Sequence, residues 1–163
     1  MLLPQLIEKI FEKYEKLRQE QKFTPATQKQ IFVELNAVFG DTLKRALGIL
    51  DEQIILIYST ESEIREIVEI ADRNNSAQVY KLFSGINFCP CKYFASNVLK
   101  VNILNISPTY SFDNSQNTDQ AYTCEHVLAL RLAKLLCSSC VRKEILVANK
   151  FNFLLQQMCI DDF

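Results

Sequence analysis

Apolar residues recur three and four positions apart at the start of the chain. Leu3, Leu6, Ile7, Ile10, Tyr14 and Leu17 share one face, with Glu8, Lys9, Glu12, Lys13, Lys16 and Arg18 mostly opposite. This spacing predicts an amphipathic helix over residues 3–21, whose stripe belongs either to the core or to a partner. Thr24-Pro25 opens a second helix, because threonine accepts a hydrogen bond from a free backbone N–H and proline fits the first helical position. Gly40 is its expected stop, since glycine tolerates a left-handed cap. Asp41 is then read as the cap of a third helix carrying Leu43, Ala46, Leu47 and Leu50.

The periodicity changes in the next segment. Residues 53–59 form a short β-branched apolar run, which predicts a buried strand. Residues 63–72 carry both patterns: Ile64, Ile67, Val68 and Ala71 suit a helix, Val68 and Ile70 a strand. The turn signal Asn74-Asn75-Ser76, with a strand-like run from Gln78 to Phe83, favours a hairpin over 65–83. Residues 105–121 are polar and rich in turn formers, and read as a flexible insert. A leucine-rich helix is expected from Thr123 to Ser138 and a last helix over 143–158. The expected class is α+β: N-terminal helices, a small antiparallel hairpin or sheet, a finger, and C-terminal helices. Residues 1–52 form a helical region and 53–163 the remainder, read together as one integrated domain.

Composition narrows the function. A 163-residue chain with 48% apolar residues can bury a core of its own. A net charge of −1 and a pI near 5.9 argue against a strongly basic nucleic-acid binder. Residues 92–150 hold a local basic excess: Lys92, Lys100, Arg131, Lys134, Arg142, Lys143 and Lys150 against Asp113, Asp119, Glu125 and Glu144. That is either a phosphate-facing surface or a solvated helix face. Glu8 and Lys9 interrupt the N-terminus before an apolar leader develops. The longest strongly apolar run, Ile54 to Tyr58, is too short to span a bilayer. An intracellular chain keeps its cysteines reduced, so they read as ligands or core residues.

The chemistry gathers in Cys89-Pro90-Cys91 and Cys124-Glu125-His126, which contain the chain's one histidine. Three thiolates and one imidazole make the Cys₃His set of a closed, four-coordinate zinc site. Pro90 stiffens the first turn. Cys-x-His is awkward inside a helix, where residues two apart point about 200° apart. It works at a helix start, with Thr123 as the expected cap and the helix N-terminus favouring the anionic thiolates. Ala129, one turn after His126, lets the Cys89–Cys91 turn approach closely, or simply serves helix propensity. A Cys124–His126 nucleophile–base pair is the catalytic alternative, and unrelated buried cysteines are the plain one. Cys137-x-x-Cys140 resembles a ligand or redox pair but lacks a second pair to complete a site. Cys159 reads as a packing residue.

Cys-x-Cys, a variable insert and Cys-x-His form the SWIM zinc-finger signature. His126-Val127-Leu128-Ala129 fits its extended form, with alanine three after the histidine. With N-terminal helices and short strands before the finger, the chain resembles the SWIM-domain subunits of Shu-type recombination complexes. The resemblance spans roughly residues 30–158 and is specific at the finger; the insert at 105–121 is longer than in compact relatives. It implies one structural Zn²⁺ and a nuclear, non-enzymatic protein of homologous recombination repair after DNA damage. It also implies a heterodimer with a recombinase paralogue of RecA-type ATPase fold, which promotes recombinase filament assembly on single-stranded DNA.

Two other functions are weighed. A SWIM module of a transposase- or regulator-like protein would contact phosphates directly through Arg131, Lys134, Arg142, Lys143 and Lys150. An enzyme using Cys124 is disfavoured by the lack of a carboxylate pair, phosphate loop or glycine-rich cofactor turn. Candidate docking residues are any exposed parts of the stripes Leu128/Leu132/Leu135 and Ile7/Ile10/Tyr14.

Overall fold

The computed structural model describes residues 2–62, 64–71, 78–99, 121–136 and 139–160. Three helices come first: α1 Leu3–Gln19, α2 Pro25–Phe39 and α3 Asp41–Glu52. α1 buries Ile7, Ile10, Phe11 and Tyr14. At the head of α2, Thr24 Oγ1 accepts from the Thr27 N–H at 3.2 Å and the Thr24 N–H donates to Thr27 Oγ1 at 2.7 Å. This reciprocal pair satisfies backbone groups that the first turn leaves free. Gly40 separates α2 from α3 at φ +48° and ψ −120°, a conformation that costs a Cβ-bearing residue dearly. Gly40, not Asp41, is the N-cap of α3. Asp41 is the first helical residue, and its carboxylate pairs with Lys44 at 2.9 Å.

Strands β1 Ile55–Ser59, β2 Glu66–Ala71 and β3 Val79–Phe83 follow. β2 and β3 pair antiparallel, Val68 opposite Leu82, so the strand reading of 65–83 holds; its expected turn at 74–76 lies outside the described residues. Lys92–Leu99 is helical, with Phe94–Leu99 wound as a π-helix. α4 spans Glu125–Leu136, β4 Val141–Ile145 and α5 Ala148–Ile160.

β4 corrects two expectations. Residues 143–145 are strand rather than helix, and β4 lies parallel to β1, with Ile57 opposite Lys143. The sheet is therefore mixed, in the order β3-β2-β1-β4. β4 is a solvated edge strand, exposed from Arg142 to Ile145, so it has no apolar alternation for a sequence pattern to reveal.

One core joins the two halves. Ile55, Ile57, Val68, Ile70, Tyr80 and Leu82 on one sheet face cluster with Ile7, Phe11, Leu35, Leu43, Ala46 and Ile49 from α1–α3 and with the leucines of α4. The other face is covered by α5. There Tyr58 lines a cleft with Asn149, Lys150, Phe153 and Leu154, and Lys81 Nζ donates to Gln157 Oε1 at 3.4 Å.

α4 is held along its length by α1. Arg131 makes two 2.8 Å bonds to the Glu8 carboxylate and lies 3.8 Å from the centre of the Phe11 ring. Arg18 donates to the carbonyls of Lys134 and Leu135, groups that a helix end leaves without intrahelical partners. Among the described residues, no helix is long and apolar enough to cross a membrane.

Candidate metal centre

The two ligand pairs arrive by different routes. Chain leaving β3 turns at Ser84-Gly85, with Gly85 at φ +81°, and continues without regular secondary structure to Cys89. Asn87 Nδ2 then donates to the Tyr122 carbonyl at 2.9 Å. That bond ties the approach to Cys89 to the approach to Cys124. Ala121 N–H donates to the Asn97 carbonyl at 3.2 Å, joining the segment after Cys91 to the same strip.

Cys91 begins the helical segment 92–99. Its sulfur accepts from the Phe94 N–H at 3.3 Å, and its carbonyl from the Ala95 N–H at 3.1 Å. Cys124 begins α4: its carbonyl accepts from the Leu128 N–H at 3.1 Å, and the Val127 N–H bonds its sulfur. Thr123 is not the cap. Its hydroxyl is buried with no hydrogen-bond partner among the described residues.

Cys89, Cys91, Cys124 and His126 are all buried, and one ligand atom from each lies within 4.8 Å of the other three. His126 Nδ1 is 3.8 Å from Cys89 Sγ and 4.0 Å from Cys124 Sγ. Tetrahedral coordination with zinc–sulfur bonds of ~2.3 Å and zinc–nitrogen bonds of ~2.0–2.1 Å needs sulfur–nitrogen edges of about 3.6 Å. The cage is slightly wide, and small rotations of the side chains close it. These four residues can hold one metal ion. Tyr80 of β3 packs on the imidazole, ring centres 4.5 Å apart, which fixes its orientation. Ala129 and Ala133, one turn apart on α4, are 0% and 2% exposed.

The three thiols share charge unequally. Hydrogen bonds from Cys124 and Cys89, with the Phe94 N–H, hold Cys91 far below the ordinary thiol range. The Cys89 thiol is pushed far up by Cys124, Cys91 and burial. For Cys124, the bond to Cys89 pulls down while Cys91 and burial push up, leaving it at about 12. A divalent cation replaces the shared protons and favours all three thiolates.

Lys134 and Lys143 meet at the Glu66 carboxylate, and Arg131 is paired elsewhere. Arg131 is taken by Glu8, while Lys134 bonds Glu66 and Ser84. Lys143 lies 3.8 Å from Glu66; Arg142 and Lys150 are exposed on β4 and α5. The two stripes, each open to a core or a docking reading, belong to the core. Leu128, Leu132 and Leu135 are 0–3% exposed, and Ile7, Ile10 and Tyr14 are 0–8% exposed. Cys137 and the insert up to residue 120 lie outside the described residues. Cys140 is buried, its carbonyl accepting from Ile55 N–H at 2.8 Å.

No protein-family model, curated protein or solved structure matches this chain.

Proposed function

We propose that the chain is a non-catalytic subunit stapled by one Zn²⁺. In this reading it pairs with a recombinase paralogue of RecA-type ATPase fold, in the nucleus, and helps a recombinase filament assemble on single-stranded DNA. The observation that carries the proposal is the closed donor set: four buried ligands within 4.8 Å of one another. A Cys₃His cage suits zinc and has no open position for water or substrate, so the metal acts through folding. The ligand spacing adds the resemblance to SWIM-type subunits, from which the partner class is drawn.

Ile86 and Phe88, 55% and 40% exposed on the approach to Cys89, are the apolar surface the metal most directly fixes. Phe88 stands edge-on to buried Phe94, ring centres 5.6 Å apart. We assign partner docking to this strip. A direct DNA-binding module is the second reading; Arg131 and Lys134, already engaged by carboxylates, give it less support.

The test is native mass spectrometry of the chain co-expressed with a recombinase paralogue. One zinc and a one-to-one complex are expected, with Ile86→Ser/Phe88→Ser losing the partner but keeping the metal. A metal-free chain overturns the staple; a metal-loaded chain that pairs with no such protein overturns the partner assignment.

A further inference from the structure

Among the described residues β4 ends the sheet and no strand pairs with its outer edge, and the alternation of its backbone bonds shows which groups face outward. Ile55 N–H donates to the Cys140 carbonyl at 2.8 Å, and Leu146 N–H to the Ser59 carbonyl at 2.7 Å. Residues 140 and 146 thus point their bonding groups at β1. With Ile55 opposite Val141 and Ser59 opposite Ile145, Arg142 and Glu144 do the same. The N–H and C=O groups of Val141, Lys143 and Ile145 face away from the sheet.

We infer that two copies of this chain pair antiparallel along β4 with Lys143 at the twofold axis, making one continuous sheet of twice the width. In this register every outward N–H and C=O of the strand finds a partner. Val141 lies opposite Ile145 of the second copy, apolar against apolar. Arg142 lies opposite Glu144 of the second copy, twice by symmetry, at the closely spaced non-hydrogen-bonded positions where side chains interact most. The segment Val141-Arg142-Lys143-Glu144-Ile145 is therefore self-complementary about its centre, as a twofold interface requires. Centring on Arg142 or on Glu144 would need N–H and C=O groups that already bond β1. The two Lys143 ammonium groups do meet at the axis, but each lies 3.8 Å from Glu66 of its own chain, which offsets their repulsion. Ile145, 65% exposed, loses water contact in the pair.

Sedimentation velocity of the metal-loaded full chain tests this from about 1 to about 200 µM, the range a small interface demands. A monomer–dimer equilibrium is expected in the wild type. Arg142→Glu and Glu144→Arg should each weaken the dimer about tenfold or more. The double swap, which restores opposite charges across the axis, should recover it. These side chains are exposed, so circular dichroism should match the wild type throughout. A wild type that stays monomeric overturns the inference, as does a dimer indifferent to both single swaps. Either result leaves the metal staple standing, because the four ligands are remote from β4 in the chain and outside its register.

Discussion

Cys91 and Cys124 hold the same position on two different helical segments. Each is the residue just before the first turn, each offers its carbonyl to the N–H four residues on, and each takes the N–H three residues on at its sulfur. Serine or aspartate commonly does this work at an N-cap. Here a thiol does it, so two helix starts direct partial positive charge at the same cluster of sulfurs. Each of these N–H bonds favours the thiolate, the form that binds a cation; at Cys124 the neighbouring Cys91 and burial outweigh it.

Loss of one ligand should therefore be felt as loss of fold. Structural zinc supplies ~10–16 kcal/mol in finger peptides, comparable with the ~5–15 kcal/mol stability of a whole domain. Cys124→Ser should lose the metal in native mass spectrometry and the cooperative thermal transition in calorimetry. Full metal content in that variant would refute the ligand assignment.

Removing the metal from the wild-type chain should have the same signature. A strong chelator should broaden the thermal transition, and stoichiometric Zn²⁺ should restore it. The expected X-ray absorption spectrum has three sulfurs and one nitrogen around zinc. A bound water oxygen in the first shell would contradict a closed site.

Glu8 offers a pH test on the α1–α4 contact. Its carboxyl is held below the ordinary carboxylate value, chiefly by the Arg131 hydrogen bonds, against some desolvation. A lowered folded pKa gives stability that is present above the unfolded value of 4.5 and lost as pH falls through the folded value. Glu8 is 47% exposed, so Glu8→Gln should cost no more than about 0.5–1 kcal/mol at pH 7. That difference should shrink to nothing in strong acid, read by urea unfolding at several pH values. A cost that persists in acid would place the effect in packing rather than charge.

Gly40 carries a backbone prediction. Nothing lies within 4 Å of where its Cβ would be, so any cost of Gly40→Ala is conformational. A loss of about 1–3 kcal/mol is expected from φ +48° alone, measured as a lower urea midpoint with unchanged slope. A neutral substitution would mean that the α2–α3 junction relaxes.

Phe11→Ala tests whether the helical start and the metal-bearing half unfold together. Phe11 is 1% exposed in the shared core, and truncation should cost about 3–5 kcal/mol. Fluorescence and metal release should still report one coincident transition. Two separate transitions would show that the halves are energetically independent.

Much of this was legible in the order of residues, and the reasons differ by element. α1 was legible because its buried positions repeat with the helical period, and α2 because Thr24-Pro25 and Gly40 mark its ends. The four-residue cluster able to hold a metal ion was legible because cysteine and histidine spacing follows from coordination chemistry, independent of the fold. β4 was not. Its side chains face water, and Arg142-Lys143-Glu144 is as compatible with a helix start as with an edge strand. Arg131 and Lys134 read as free cations because Glu8 and Glu66, which bind them, are 123 and 68 residues away. Leu128, Leu132 and Leu135 left core and docking open, since only the neighbours that tertiary packing supplies decide between them.

The grip of Glu8 and Arg18 on α4 also bears on how the molecule is born. α1 meets α2 early, through Lys13 and Glu34, but its contacts with α4 wait for a helix made more than a hundred residues later. Until α4 emerges, Phe11 and Ile7 stay incompletely covered and vulnerable to wrong associations. Such distant closure makes for slow folding, so these residues should depend on protection until α4 has been made and can pack on them.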